Sequence, residues 1–249
     1  MLQDILIARV RELCRADERL VAALTYGSFA GGEADEHSDV EFWLFADDDA
    51  TIDEHAWIAE VGEIRHVVVN EFGAHVAFFP GLIRGEFHFA YARDIASVAT
   101  WPARGAPPER MLILDRTGEL RRALESLPER PPVGDLDEIA GRFVNWLVLA
   151  HHVTQRGEFL RAVDALTHAQ RHLLWMARLA ENRTQHWLTP SRAAETDLPT
   201  AVVQALHRTT ATADAASLTA AIAAMWSCAR RYWPGAPAAL VADLDTLRD

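Results

Sequence analysis

Residues 127–138 read LPERPPVGDLDE, with three prolines and a glycine. No helix or strand runs through such a stretch, because proline removes a backbone donor and keeps the preceding residue out of the helical region. The chain therefore poses two folding problems, with a border near 130. Before it lie short β-type runs: LVAALTY (20–26), DVEFWLF (39–45), RHVVVN (65–70), HVAFFP (75–80) and EFHFAY (86–91). The third and fourth flank EFGA and read as a hairpin. Helical stretches at 2–16 and around 53–62 would cover one face of a sheet. These patterns predict an α+β unit with a mixed sheet over 1–130. Beyond the border the apolar period changes to three and four, in DEIAGRFVNWLVLAHHVTQ, GEFLRAVDALTHAQRHLLWMARLAEN and AASLTAAIAAMWSCARRYW. That period predicts an all-α bundle over 131–249. Trp146, Trp175 and Trp187 fall in this half, where helical spacing favours core packing over a ligand-facing wall.

Composition narrows the function. A formal net charge of −12 argues against a phosphate backbone as partner, since nucleic-acid binders carry a basic face. An acidic field draws small cations instead. The sequence has no lysine, so all 24 of its basic residues apart from histidine are arginine. A lysine-bearing P-loop and Schiff-base chemistry are thereby excluded. Cys14 and Cys228 lie far apart without metal-ligand spacing and read as reduced packing residues. The first residues, MLQDILIARVRELC, are broken by charges and form an amphipathic helix, not a signal peptide. No apolar run reaches the roughly 20 residues of a membrane span. The expectation is a cytoplasmic protein without membrane or nucleic-acid partners.

The chemistry is concentrated in YGSFAGGEADEHSDVEFWLF, residues 26–45. Residues two apart on a strand share a face, so Asp39 and Glu41 project together. Two carboxylates at that spacing can share Mg²⁺, a hard ion that takes its remaining ligands from water and phosphate oxygens. Gly27 lets a phosphate approach the backbone, and Ser28 offers a hydroxyl and an N–H at the start of a helix. The combination suits presentation of a metal-bound triphosphate. A third carboxylate would complete the metal site or take a proton from an attacking hydroxyl. Glu86, in LIRGEFHF at the start of the next predicted strand, is the best placed. His88 shares its strand face and reads first as a packed histidine, and Arg84 as a salt-bridge partner.

Gly-Ser followed by Asp-Val-Glu resembles the signature of the polymerase-β-type nucleotidyltransferase superfamily. TYGSFAGGEADEHSDVEFWLF and LIRGEFHF are further similar to the lincosamide nucleotidyltransferases with a helical C-terminal domain. DERL (17–20), NEFG (70–73), DRTGEL (115–120), RGEF (156–159) and MARLAENRTQHWL (176–188) extend the likeness over both halves. The resemblance implies transfer of a nucleoside monophosphate, usually AMP from Mg-ATP, to a sugar hydroxyl of lincomycin or clindamycin. It makes Asp39 and Glu41 metal ligands, Gly27 and Ser28 the triphosphate holders, and Glu86 the general base. Such a protein confers antibiotic resistance, and a homodimer is compatible with it. One departure stands out: relatives carry Lys or Arg where this chain has Gly31, and Arg84 or another arginine would have to substitute. Two other readings stay open. One is the same chemistry on an aminoglycoside or another small metabolite. The other is a non-catalytic nucleotidyltransferase-like antitoxin or nucleotide sensor, against which retention of all three carboxylates speaks.

Overall fold

Strand pairing organises the first half of the computed structural model, which describes residues 1–248. Its elements are α1 (Leu2–Ala16), β1 (Leu20–Thr25), α2 (Gly27–Gly31), β2 (Val40–Ala46), α3 (Glu54–Ala59), β3 (His66–Val69), β4 (His75–Phe79), β5 (Ile83–Tyr91), α4 (Pro108–Met111), β6 (Leu112–Asp115) and α5 (Glu119–Glu125). The strands form one mixed sheet in the order β3-β4-β5-β2-β1-β6. β3 and β4 make the expected antiparallel hairpin, whereas β2 and β5 run parallel with Glu41 opposite Glu86. Parallel neighbours need a crossover, and α3 with the β3–β4 hairpin provides it. Two expectations need correcting. β5 begins at Ile83, so Glu86 lies inside the strand and not at its start, and LILD (112–115) forms a sixth strand that is too short to announce itself.

The period of two along β2 decides which side chains are buried where. Val40, Phe42 and Leu44 pack with Leu6, Val10 and Cys14 of α1 in one core. Phe45 points the other way, into a second core with Leu24, Ile95, Val98 and Leu120, and Trp43 packs against that core from its edge. The start of this second face, at Asp39 and Glu41, carries acids where the rest carries aromatics. Cys14 is buried as a free thiol, and burial pushes its pKa up to about 12.

Contacts divide the chain into two compact units, Met1–Pro131 and Pro132–Asp249. The second comprises α6 (Leu136–Gln155), α7 (Phe159–Ala180), α8 (Ala194–Asp197), α9 (Thr200–His207), α10 (Ala215–Ala229) and α11 (Ala238–Asp245). Asp135 caps α6 by accepting from the Glu138 N–H at 3.0 Å, and Asp214 caps α10 by accepting from Ser217 at 2.9 Å. Such side-chain caps satisfy backbone donors that the first turn leaves open. The core joins Phe143, Leu147, Leu166 and Leu173 to Ile222 and Trp226. Trp187 is buried in it, and Trp146 and Trp175 pack against it. Among the described residues no helix is long and apolar enough to cross a membrane.

A buried cation fixes the segment that follows α7. Arg178 is fully buried and donates from Nε to the Pro190 carbonyl at 2.7 Å and from Nη1 to the Arg183 carbonyl and Asp197 Oδ2, both at 2.9 Å. His186 Nδ1 lies 2.7 Å from the same Asp197 oxygen. Burial alone would raise the Asp197 carboxyl, but its bonds to His186 and Arg178 outweigh burial and hold it below the usual carboxylate range. Removing one partner of a buried pair strands the other, so Asp197→Asn is expected to cost about 3 kcal/mol of helical-unit stability. A depressed carboxyl contributes stability above its unfolded value, about 3.9, and loses it as pH falls through the lower folded value. Thermal melts between pH 6 and pH 3 should therefore show a steeper acid loss in the wild type than in Asp197→Asn; equal slopes would remove Asp197 from the account.

Candidate active site

β1 ends at Thr25, and Tyr26 continues extended into Gly27, whose φ is +69°. That left-handed conformation already favours glycine. Space demands it as well, since a Cβ on Gly27 would stand 1.6 Å from Glu41 Oε2. The carboxylate of Glu41 thus lies flat against the turn that opens α2. Ser28 is buried in the first turn of α2, and its carbonyl accepts from Gly32 and Glu33 at 2.9 and 3.0 Å. At the other end of α2, Arg110 donates to the Gly31 carbonyl at 3.4 Å and the Phe29 carbonyl at 3.5 Å. A guanidinium therefore stands beside Gly31 although the sequence places none there.

The parallel register of β2 and β5 assembles the remainder. Asp39 sits one residue before β2, Glu41 is on it, and Arg84, Glu86 and His88 share one face of β5. Arg84 bridges the strands, donating from Nη1 to Asp39 Oδ2 and from Nη2 to Glu86 Oε2, the latter at 2.6 Å. The other oxygen of Glu86 lies 2.9 Å from His88 Nε2 and accepts from the Tyr26 hydroxyl at 3.1 Å. Trp43 stacks on His88 with ring centres 4.2 Å apart, and Trp101 meets Trp43 at 5.6 Å.

These contacts set the charges. Burial would raise Glu86, but the bonds from His88 and Tyr26 and the charge of Arg84 hold it below the usual range. Burial lowers His88 despite its bond to Glu86. Tyr26 is pushed up by burial and then by the charges of Glu86 and Glu41. At neutral pH the cluster therefore contains an ionised Glu86, a neutral imidazole and a protonated phenol. An ionised carboxylate only accepts, which assigns the Nε2 proton of His88 to the bond with Glu86.

Asp39 and Glu41 offer carboxylate oxygens, the donors a hard cation takes, and Asp39 already answers a positive charge, the guanidinium of Arg84. Among the described residues no three acidic, histidine or cysteine side chains form a finished ligand group. A metal here would draw further oxygens from a nucleotide and water, as Mg²⁺ does.

All five residues singled out in the sequence are located: Gly27 and Ser28 open α2, and Asp39, Glu41 and Glu86 border the β2–β5 pairing. Tyr26, Trp43, Trp101 and Arg110 were not singled out by the sequence. Trp43 continues the alternation of Asp39 and Glu41, and Tyr26 precedes the turn, so both carried a signal. Trp101 and Arg110 carried none.

The comparisons with known proteins bear on the helical unit first. Residues 135–234 match the family described as lincosamide nucleotidyltransferase-like, C-terminal domain. The helical unit is therefore lincosamide nucleotidyltransferase-like. By class that match makes the chain a nucleotidyltransferase. Among solved structures this nucleotidyltransferase is similar to an aminoglycoside 6-adenyltransferase from Bacillus subtilis, at 13% identity and a TM-score of 0.43, over 98% of this chain and 96% of that one. It is also similar to a nucleotidyltransferase-like protein from Exiguobacterium sibiricum 255-15, at 12% identity and a TM-score of 0.38, over 93% and 75% of the respective chains. Likeness this distant says nothing about the substrate. No curated protein matches the chain.

Proposed function

We propose that this nucleotidyltransferase moves AMP from Mg-ATP to a hydroxyl of a lincosamide antibiotic such as lincomycin or clindamycin. The observation that carries the reading is the β2–β5 register, which sets Glu86 beside Glu41 at the mouth of the Gly27 turn. In this reading Asp39 and Glu41 hold Mg²⁺, which when bound supplies charge stabilisation at the α-phosphate. Gly27 and Ser28 hold the triphosphate, and Arg110 offers it a cation from beside Gly31. Glu86 takes the proton of the acceptor hydroxyl as that oxygen attacks the α-phosphorus and pyrophosphate leaves. The Tyr26 and His88 contacts keep Glu86 ionised and aimed. The helical-family match supports the lincosamide as acceptor.

The test is incubation with Mg²⁺, each nucleoside triphosphate, and a panel of lincosamides and aminoglycosides, followed by mass spectrometry. A lincosamide carrying one added AMP is expected. Product on aminoglycosides alone would overturn the acceptor, and no product on any compound would favour a non-catalytic role.

The contact between Gly27 and Glu41 yields a sharper expectation. Alanine at position 27 brings strain of about 1–2 kcal/mol from the left-handed backbone and displaces the Glu41 carboxylate. A displacement near 1 Å at a reacting centre costs about 10²-fold, so Gly27→Ala should lose at least that much turnover. Retention of wild-type turnover would show that Glu41 need not lie where it does.

A further inference from the structure

We propose that Arg84 is a resident cation in the metal site, which the incoming triphosphate must draw away before a divalent ion binds, so that metal arrives with nucleotide and not ahead of it. The inference rests on the reading of Asp39 and Glu41 as metal ligands. Its own support is the geometry of Arg84.

The carboxylates of Asp39, just before β2, and Glu86, on β5, converge here, and one guanidinium that spans them relieves their repulsion. Each Nη atom donates to a different carboxylate, so both bonds are charge-assisted and one cation ties the two acids together. Both oxygens of Glu86 are already engaged, since Oε2 accepts from Arg84 and Oε1 is shared by Tyr26 and His88. A free divalent ion approaching Asp39 meets a carboxylate already neutralised and a positive charge held beside it by its own chain. Tethering makes Arg84 a competitor that dilution cannot remove. A triphosphate changes that balance, because its oxygens accept from the same guanidinium and carry more charge than one carboxylate. The Arg84 side chain is about one-third exposed, 36%, and its flexible stem leaves room to turn toward an incoming anion. Arg84 is thus a positioning residue that holds the acids in register while the site waits.

The experiment measures binding of Mn²⁺ to the full chain by electron paramagnetic resonance, without acceptor and without turnover. Wild type should bind free Mn²⁺ weakly and bind it more tightly with a non-hydrolysable ATP analogue. Arg84→Met keeps the apolar stem and removes the charge. It should bind free Mn²⁺ about tenfold more tightly than wild type, within the usual range of coupling between two ligands, while its gain from the analogue shrinks. Arg84→Lys restores a charge and should show no such gain. If Arg84→Met does not fold, as judged by circular dichroism, Arg84→Gln takes its place. Free-Mn²⁺ affinity no higher in either neutral variant than in wild type overturns the proposal. If wild-type binding with the analogue still depends on Asp39, the functional reading survives that result. The added Asp39→Asn change should abolish the gain of Arg84→Met. A gain that persists would overturn the proposal together with the assignment of Asp39 as ligand.

Discussion

Asp39→Asn and Glu41→Gln should each reduce nucleotide transfer by about 10³-fold or more while the fold survives. Each substitution nearly preserves shape and removes a charge that holds the metal, and with it the stabilisation at the α-phosphate. Asp39 is partly exposed, so losing its pair with Arg84 should change stability by no more than about 1 kcal/mol. Glu41 keeps its contact with the Gly27 turn when only an oxygen becomes an amide nitrogen. The measurements are turnover at saturating Mg²⁺ and thermal melting side by side. Near-wild-type turnover in either variant would remove that residue from the mechanism, whereas a collapsed melting transition would make the activity loss uninformative about metal and call for Asp39→Ser or Glu41→Asp instead.

Glu86→Gln should lower kcat by about 10²- to 10⁴-fold, the usual worth of a positioned base. A base acts as the hydroxyl attacks; a ligand acts before the acceptor is present. Binding of a non-hydrolysable Mg-ATP analogue, followed by calorimetry, should therefore stay nearly unchanged in Glu86→Gln and weaken in Asp39→Asn. Equal weakening in both would make Glu86 a third metal ligand. Full activity in Glu86→Gln would move the base elsewhere, and His88, 2.9 Å from Glu86, would be the next residue to replace.

What could be read from the sequence was what chemistry stores locally. The acids at 39 and 41, the glycine turn at 27 and the helical period beyond residue 135 each depend on neighbours within a few positions. Pairing is different: the parallel register that sets Glu41 against Glu86 joins strands separated by α3 and a hairpin, and no short stretch specifies it. Placing β5 too late hid the fact that Arg84 lies inside the strand, on the same face as Glu86. Arg110 reaches Gly31 across a separation of 79 positions, beyond any spacing rule. In the helical unit Trp187 belongs to the core although it lies in the turns after α7 and not at helical spacing, while Trp146 and Trp175, on α6 and α7, pack against that core.

The parallel contact also fixes when the acids meet. Asp39 and Arg84 are 45 positions apart, and the intervening chain must close as a crossover before β5 can lie beside β2. Non-local pairings of this kind form late, because their loop entropy is lost before any contact offsets it. Until that pairing closes, Asp39 and Glu86 are apart and separately hydrated. Their repulsion appears only in the step that also delivers Arg84 to relieve it, so charge crowding and its remedy arrive in the same motion.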